Sequence, residues 1–353
     1  MEKKYNIEFD KELPKFLYDS KLSIVFSTYQ AGRLIIIGSL DGYKIHQIPV
    51  PYKRPMGIAT EANRIAIASL DEISFFTANK KTVQTLKDNK NKYDQMYLYR
   101  ASYNTSSLDI HDIAFDKSGV WGVNTLFSCL CKFTLNYNFS PKWHPYFITD
   151  LVPEDRCHLN GLAMKNGSPK YVTALSSTNN KKGWRKDIMN SGIIMDVKTN
   201  KIILDGLAMP HTPRLINNEL YFLESALGRL VKWNPINKEK EIIYDFNRFV
   251  RGFIYYKELL IIGFSKIRKT SKSFEKVSEK IKKNSKNAGF VIFDLRTRTP
   301  FGELIYTDTI DEIYDVNIIN GARKPAIITQ LNEQHKNIIV TPNDVFWRKP
   351  KNK

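Results

Sequence analysis

From Leu22 onward, apolar positions either alternate with polar ones or gather in β-branched and aromatic runs: Leu22–Ser27, Arg33–Gly38, Tyr43–Ile48, Arg64–Ser69 and Glu72–Thr77. A period of two, with side chains pointing to opposite faces in turn, predicts strands. The intervening Gln30-Ala31-Gly32, Leu40-Asp41-Gly42 and Thr60-Glu61-Ala62-Asn63 are short turn signals that suit hairpins. The expectation is a series of meandering antiparallel sheets.

A repeat emerges when the segments that begin each group of strands are set under one another. Pro55-Met56-Gly57-Ile58-Ala59, His111-Asp112-Ile113-Ala114-Phe115 and Asn160-Gly161-Leu162-Ala163-Met164 correspond well. Thr212-Pro213-Arg214-Leu215-Ile216, Arg251-Gly252-Phe253-Ile254-Tyr255 and Tyr314-Asp315-Val316-Asn317-Ile318 correspond more loosely. Successive starts lie about 40 to 60 residues apart, near the length of a four-stranded propeller blade. Six starts predict an all-β fold, a six-bladed β-propeller of four-stranded antiparallel blades. A β-sandwich rarely needs so many strands, and a mixed parallel sheet requires helical crossovers that the pattern does not supply.

Two segments read as helical, Asp10–Asp19 and the middle, Ser273–Lys283, of a Lys-rich insert. Few apolar residues anchor that insert, which predicts an excursion or lid rather than a core element. The domain reading is an N-terminal extension over residues 1–21, one propeller over 22–341 with the insert at 266–289, and a basic tail over 342–353. Ring closure is expected where Ala326–Val340, ending in Ile338-Ile339-Val340, meets Leu22–Ser27.

The 353 residues are 42% hydrophobic and 12% aromatic, enough apolar surface for a large core. The formal net charge of +18 raises the question of nucleic acid, but the lysines are scattered over turns and tips rather than aligned on one face, which argues against that role. The three cysteines form neither an even disulfide framework nor a zinc-finger spacing. A charged amino-terminal stretch without an apolar core, and the absence of a long apolar run, predict a cytoplasmic chain with no membrane span.

The inner strand of each blade lines the central channel, so residues at its entrance share one cavity although they are distant in sequence. The repeat places His111, Asp112, His158, Asn160, His211, Arg214, Arg251, Tyr314 and Asp315 there. His111, His158 and His211 would hold a divalent transition metal (Zn, Fe or Mn), because neutral imidazoles ligate such ions with an open position for water or substrate. The alternative for each histidine is a hydrogen bond to the backbone of a neighbouring blade. Arg156, Arg185, Arg214 and Arg251 supply guanidinium forks for an anion, and Trp184 offers a stacking face. His158, Asp112 and Arg251 are the catalytic candidates. Asn160, Arg156, Trp184, Arg185, Arg214, Tyr314 and Asp315 are the ligand-binding ones. Cys157 adjoins His158, but neighbours on a strand face opposite ways and do not share a proton readily. Cys129 and Cys131 share a face, and core packing is the simpler reading for them.

Several stretches resemble an uncharacterised bacterial family of conserved hypothetical proteins. They include Ser27–Gly32, Arg54-Pro55-Met56-Gly57, the Pro-Glu-Asp-Arg-Cys-His-Leu-Asn-Gly-Leu-Ala-Met segment Pro153–Met164, Gly183-Trp184-Arg185 and Met209–Arg214. The resemblance covers most of the chain from Leu22 to Gly321 and implies a propeller domain of unknown function. A more distant similarity is to six-bladed gluconolactonase-like propellers, which hold a divalent metal on carboxylate and Asn ligands. This chain instead places His and Arg at the mouth. The expected function is binding of a small polar, anionic ligand in the channel, with metal-dependent hydrolase or lyase chemistry as its enzymatic form. The alternative is a non-enzymatic scaffold that docks a protein partner.

Overall fold

The computed structural model describes residues 5–85, 93–267 and 274–348. Six antiparallel sheets surround a central axis. Blade 2 runs outward through Ile58–Glu61, Arg64–Ala68, Glu72–Ala78 and Gln95–Asn104; blade 3 through Ile110–Asp116, Gly119–Asn124, Cys129–Lys132 and Ser140–Trp143. Blades 4, 5 and 6 begin at the innermost strands Leu159–Lys165, Pro210–Ile216 and Val250–Tyr256. Every repeat start identified in the sequence therefore falls on or beside an innermost strand, and the fold is the six-bladed propeller that the repeat predicts.

Blade 1 closes the ring. Its inner strand is Asp315–Asn320, from the far end of the chain, paired antiparallel with Leu22–Thr28; Arg33–Gly38 and His46–Pro51 follow outward. The closing partner is thus not the Ala326–Val340 segment expected from the sequence. Pro325–Ile328 instead adds a parallel strand outside Gln95–Asn104, and Ile338–Val340 forms a hairpin with Val345–Trp347. Asp315–Asn320 continues the hydrophobic seam between blades, with Val316 fully buried beside Phe26 and Phe290. That burial selects it over the later apolar run.

Each gap between neighbouring blades is filled by one apolar cluster. Cys129 and Cys131 lie between blades 2 and 3 with Ile73 and Ile110, and Cys157 lies between blades 3 and 4 with Leu130, Val172 and Met195. The helix Glu12–Ser20 seats Leu13 and Leu17 over the seam between blades 6 and 1. The inner strands approach so closely that a side chain at Gly57 would lie 3.0 Å from the Cα of Asp112, and one at Gly252, whose φ is +73°, 2.9 Å from that of Asp315. Only glycine suits both positions.

The described part of the Lys-rich insert carries more apolar anchorage than its composition suggested. Phe274, Val277 and Ile281, the last in the short helix Glu279–Asn284, pack on Trp184, Ile188, Met209 and Phe249 at one end of the channel. These three apolar residues stand on one side of an otherwise charged segment, so the mean composition conceals them. Residues 268–273 of the insert, 1–4 of the extension and 349–353 of the tail lie outside the described residues. Among the described residues no helix is long and apolar enough to cross a membrane.

Inner strands carry backbone groups on their channel edge that have no ladder partner. Side chains of the adjacent blade meet them. Asp315 Oδ2 accepts the Ile58 N–H at 2.8 Å, Asp112 Oδ2 accepts the Leu162 N–H at 3.0 Å, and Ser27 Oγ donates to the Met56 carbonyl at 2.5 Å. Arg214 crosses from blade 5 to Asp112 on blade 3 at 2.9 Å and also donates to the Leu162 carbonyl at 3.0 Å. Breaking a buried ion pair on one side leaves the other charge stranded. Asp112→Ala is therefore expected to lower unfolding free energy by about 3–5 kcal/mol in urea titration, and a second change, Arg214→Met, to recover most of that loss.

Candidate functional site

At the end of the channel covered by the insert is a cavity of about 270 Å³. His111, His158, His211, Trp184, Arg185, Arg251 and Tyr314, all singled out from the sequence, line it. Asp112, Asn160, Arg156, Arg214 and Asp315 do not. Asp112, Arg214 and Asp315 belong to the inter-blade contacts just described. Asn160 accepts from Thr173 Oγ1 at 2.6 Å within blade 4. Arg156 donates to Glu154 and to Asn179, both at 2.8 Å. Burial, and then the Asp112 carboxylate, push Asp315 up to about 7.

Two of the histidines are held by the same device. The residue two positions earlier adopts the left-handed backbone conformation (Asp109, φ 51°; Met209, φ 53°), and its carbonyl accepts from the histidine Nδ1–H at 3.0 Å in each case. Thr125 Oγ1, whose own proton goes to the Leu159 carbonyl, and Ser225 Oγ stand beside the same nitrogens at 2.8 and 3.1 Å. A carbonyl can only accept, so the ring proton is on Nδ1 and Nε2 keeps its lone pair. The imidazoles thus bond the backbone of their own entry loops rather than that of a neighbouring blade, and they remain in the cavity wall.

His158 is held differently. Its Nδ1 donates to Asp155 Oδ1 at 2.9 Å, and the Trp184 indole N–H donates to Asp155 Oδ2 at 2.9 Å. The Trp184 ring packs on the imidazole with centroids 4.2 Å apart, and the Arg185 guanidinium lies 4.6 Å from the Trp184 ring. His111 meets His158 edge to face at 4.7 Å and Tyr314 at 5.4 Å. Arg251 caps the Tyr314 ring at 3.7 Å and reaches the Glu312 carboxylate only at 3.9 Å. The Tyr314 hydroxyl is buried and has no hydrogen-bond partner among the described residues.

Electrostatics follow from this crowding. Burial lowers His111 and His211 well below the ordinary histidine value; the next causes are His158 for His111 and Arg251 for His211. Burial pushes the Cys157 thiol up to about 12, so it is no nucleophile at neutral pH. The three-histidine metal site expected from the sequence is not assembled: among the described residues no three His, Cys, Asp or Glu side chains are grouped to hold one ion. The Arg251 guanidinium, near enough to depress both His111 and His211, also opposes a further cation there.

Asp155, Asp109, Glu312 and Lys266 line the cavity as well and were not among the sequence candidates. For Asp155 the signal was present, an acidic residue three positions before His158 within the dense Pro153–Met164 stretch. Glu312 and Lys266 carry no local signal, because each lies just outside a repeat unit.

The chain matches the family described as "Domain of unknown function (DUF4915)" over residues 11–328, and it belongs to that family. No curated protein matches it. Among solved structures it is similar to a chain in the crystal structure of a nidogen/laminin complex, at 11% identity and a TM-score of 0.52, covering 85% of this chain and 99% of that one. A protein of unknown function from Bacteroides caccae is similar at 10% identity, TM-score 0.52 and the same coverages, 85% and 99%. At these identities the likeness concerns the fold.

The buried ionisable groups set a pH dependence. His111 and His211, lowered on folding, contribute stability that is present above the unfolded value near 6.5 and is lost as pH falls, about 1.4 kcal/mol per proton per pH unit. Asp315, raised on folding, acts oppositely: its contribution is full below about 4 and is lost as pH rises through about 7. Between pH 6.5 and 5 the Asp315→Asn variant is expected to lose stability more steeply than wild type by about one proton, as read from urea unfolding at stepped pH.

Proposed function

We propose that this member of the DUF4915 family binds a small polar, anion-bearing ligand in the cavity at the channel mouth. The observation that carries the reading is the Arg251 guanidinium stacked over the Tyr314 ring, whose buried hydroxyl has no hydrogen-bond partner among the described residues. A buried hydroxyl left without a partner costs about 1–3 kcal/mol, so a wall that retains one beside a guanidinium suits a ligand oxygen that accepts from both. The Nε2 lone pairs of His111 and His211 suit O–H or N–H donors on the same molecule, and Trp184, Phe249 and Phe274 supply apolar wall.

Binding of an anion raises the basicity of the neighbouring imidazoles. Burial holds His111 and His211 well below the ordinary histidine value, so affinity is expected to rise only as pH falls from about 6.5 towards 5.

Calorimetric titration with small mono- and dicarboxylates, sulfate and phosphate checks this reading. At least one of these anions is expected to bind. Tyr314→Phe is expected to weaken it about tenfold while leaving stability without ligand unchanged or higher, and Arg251→Met to abolish binding. No anion binding at any pH in this range overturns the reading.

A further inference from the structure

We propose that Asp155 and His158 form a proton-transfer pair: His158 Nε2 removes a proton from the molecule held in the cavity, and Arg251 and Tyr314 hold the anion that results. The inference rests on the cavity's being a ligand site and adds a chemical step to it.

Asp155 is buried, and both of its oxygens are committed, one to His158 Nδ1 and one to the Trp184 indole N–H, each at 2.9 Å. An ionised carboxylate only accepts, so the imidazole proton is on Nδ1 and the lone pair is on Nε2. The ring cannot turn away from this orientation: Trp184 covers one face and His111 meets it edge to face. Asp155 and His158 also adopt left-handed backbone conformations, φ 49° and 53°. Non-glycine residues occupy that region at an energetic cost, and such strain gathers where a side chain must be aimed.

Other cavity groups serve this role less well. His111 and His211 have a neutral carbonyl, not a carboxylate, behind Nδ1, and so lack a negative charge to stabilise the imidazolium. The neighbouring thiol of Cys157 is packed between blades. His111, His211, Asp109, Glu312, Lys266 and Arg251 face the same cavity as His158, and the cations among them favour loss of a ligand proton over its retention.

The step is balanced without a further reactant. The proton moves to Nε2, its electron pair stays on the ligand, Asp155 remains ionised against the imidazolium, and the conjugate anion rests on Arg251 and the Tyr314 hydroxyl. The substrate class is a polar molecule with a weakly acidic C–H or O–H adjacent to a group that can carry the charge, such as a carbonyl. His158 is the catalytic residue in this scheme, and Asp155 positions it.

The test uses 5-nitrobenzisoxazole, a flat probe that opens when a base removes the C–H proton of its isoxazole ring: the electron pair completes a nitrile, the N–O bond breaks, and a coloured nitrophenolate is formed. The wild-type protein is expected to exceed free imidazole at equal concentration by at least about a hundredfold. His158→Gln is expected to lose that advantage, Asp155→Asn to reduce it about tenfold and move the midpoint of the pH–rate profile to lower pH, and Cys157→Ser to leave it unchanged. Nitrogen-15 spectra of the wild-type imidazoles give a check that needs no variant, with the His158 proton expected on Nδ1. A rate independent of His158, or a proton on Nε2, overturns the proposal. Anion calorimetry on the same proteins separates the two readings: binding that persists with no His158-dependent rate removes only the proton transfer.

Discussion

The structure depends on how the innermost strands satisfy the backbone groups they turn towards the channel. A strand at the axis has a ladder partner on one side only, and an unpaired buried N–H or C=O is costly. Neighbouring blades supply the missing partners through short side chains: Asp315 to Ile58, Asp112 to Leu162, Ser27 to Met56, Thr125 to Leu159. Asn317 adds a donor to the Ile58 carbonyl at 3.0 Å, and Arg214 spans the axis to Asp112. The ring is thereby stitched by polar contacts inside and apolar clusters outside, and the angular position of every blade is set from both.

That stitching leaves one end of the channel free for other chemistry. Entry loops to the inner strands place Arg54, Asp109, Asp155, His158 and Met209 in the left-handed region, as an irregularity within the strand Pro210–Ile216 does for Thr212, at about 1–2 kcal/mol each. The same loops deliver three imidazoles, each with Nδ1 anchored, to one cavity. Two of these rings stay neutral because they are buried, with the cationic Arg251 nearby, so the cavity combines cations (Arg185, Arg251, Lys266) and carboxylates (Asp109, Asp155, Glu312) with imidazole lone pairs and a phenol. Such a set of groups discriminates by charge and by hydrogen-bond complementarity more than by shape.

Much of this is readable from particular residues. The six repeat starts mark the six inner strands because each must combine an apolar blade face with small or polar residues at the channel, and that pattern recurs. The histidines, Arg251 and Tyr314 were legible as cavity residues on the same ground, and Trp184 and Arg185 from their chemistry as a stacking face and an anion-binding fork. Asp112, Asp315 and Arg214 occupy equally prominent repeat positions, yet their side chains point along the axis to the next blade rather than into the cavity. One residue of register on a strand reverses the face a side chain presents, and the repeat alone does not carry that detail. The insert illustrates the complementary difficulty. Phe274, Val277 and Ile281 find an apolar surface made by Trp184, Ile188 and Met209 from other blades, a surface that exists only once the ring is closed.

The sequence by itself determined the architecture, since alternation, turn chemistry and the recurring strand starts are local properties that survive without knowledge of neighbours. It also placed the three histidines, Arg251 and Tyr314 at the channel mouth. The tertiary structure alone decided that Asp315–Asn320 closes the ring, that Asp112 pairs with Arg214 from two blades away, and that Asp155 stands behind His158 Nδ1. Each of these is a contact between groups whose separation is set by ring closure and by the angle between blades. In the Pro153–Met164 stretch, therefore, the composition announced a site, and the folded loop settled which of its side chains face it.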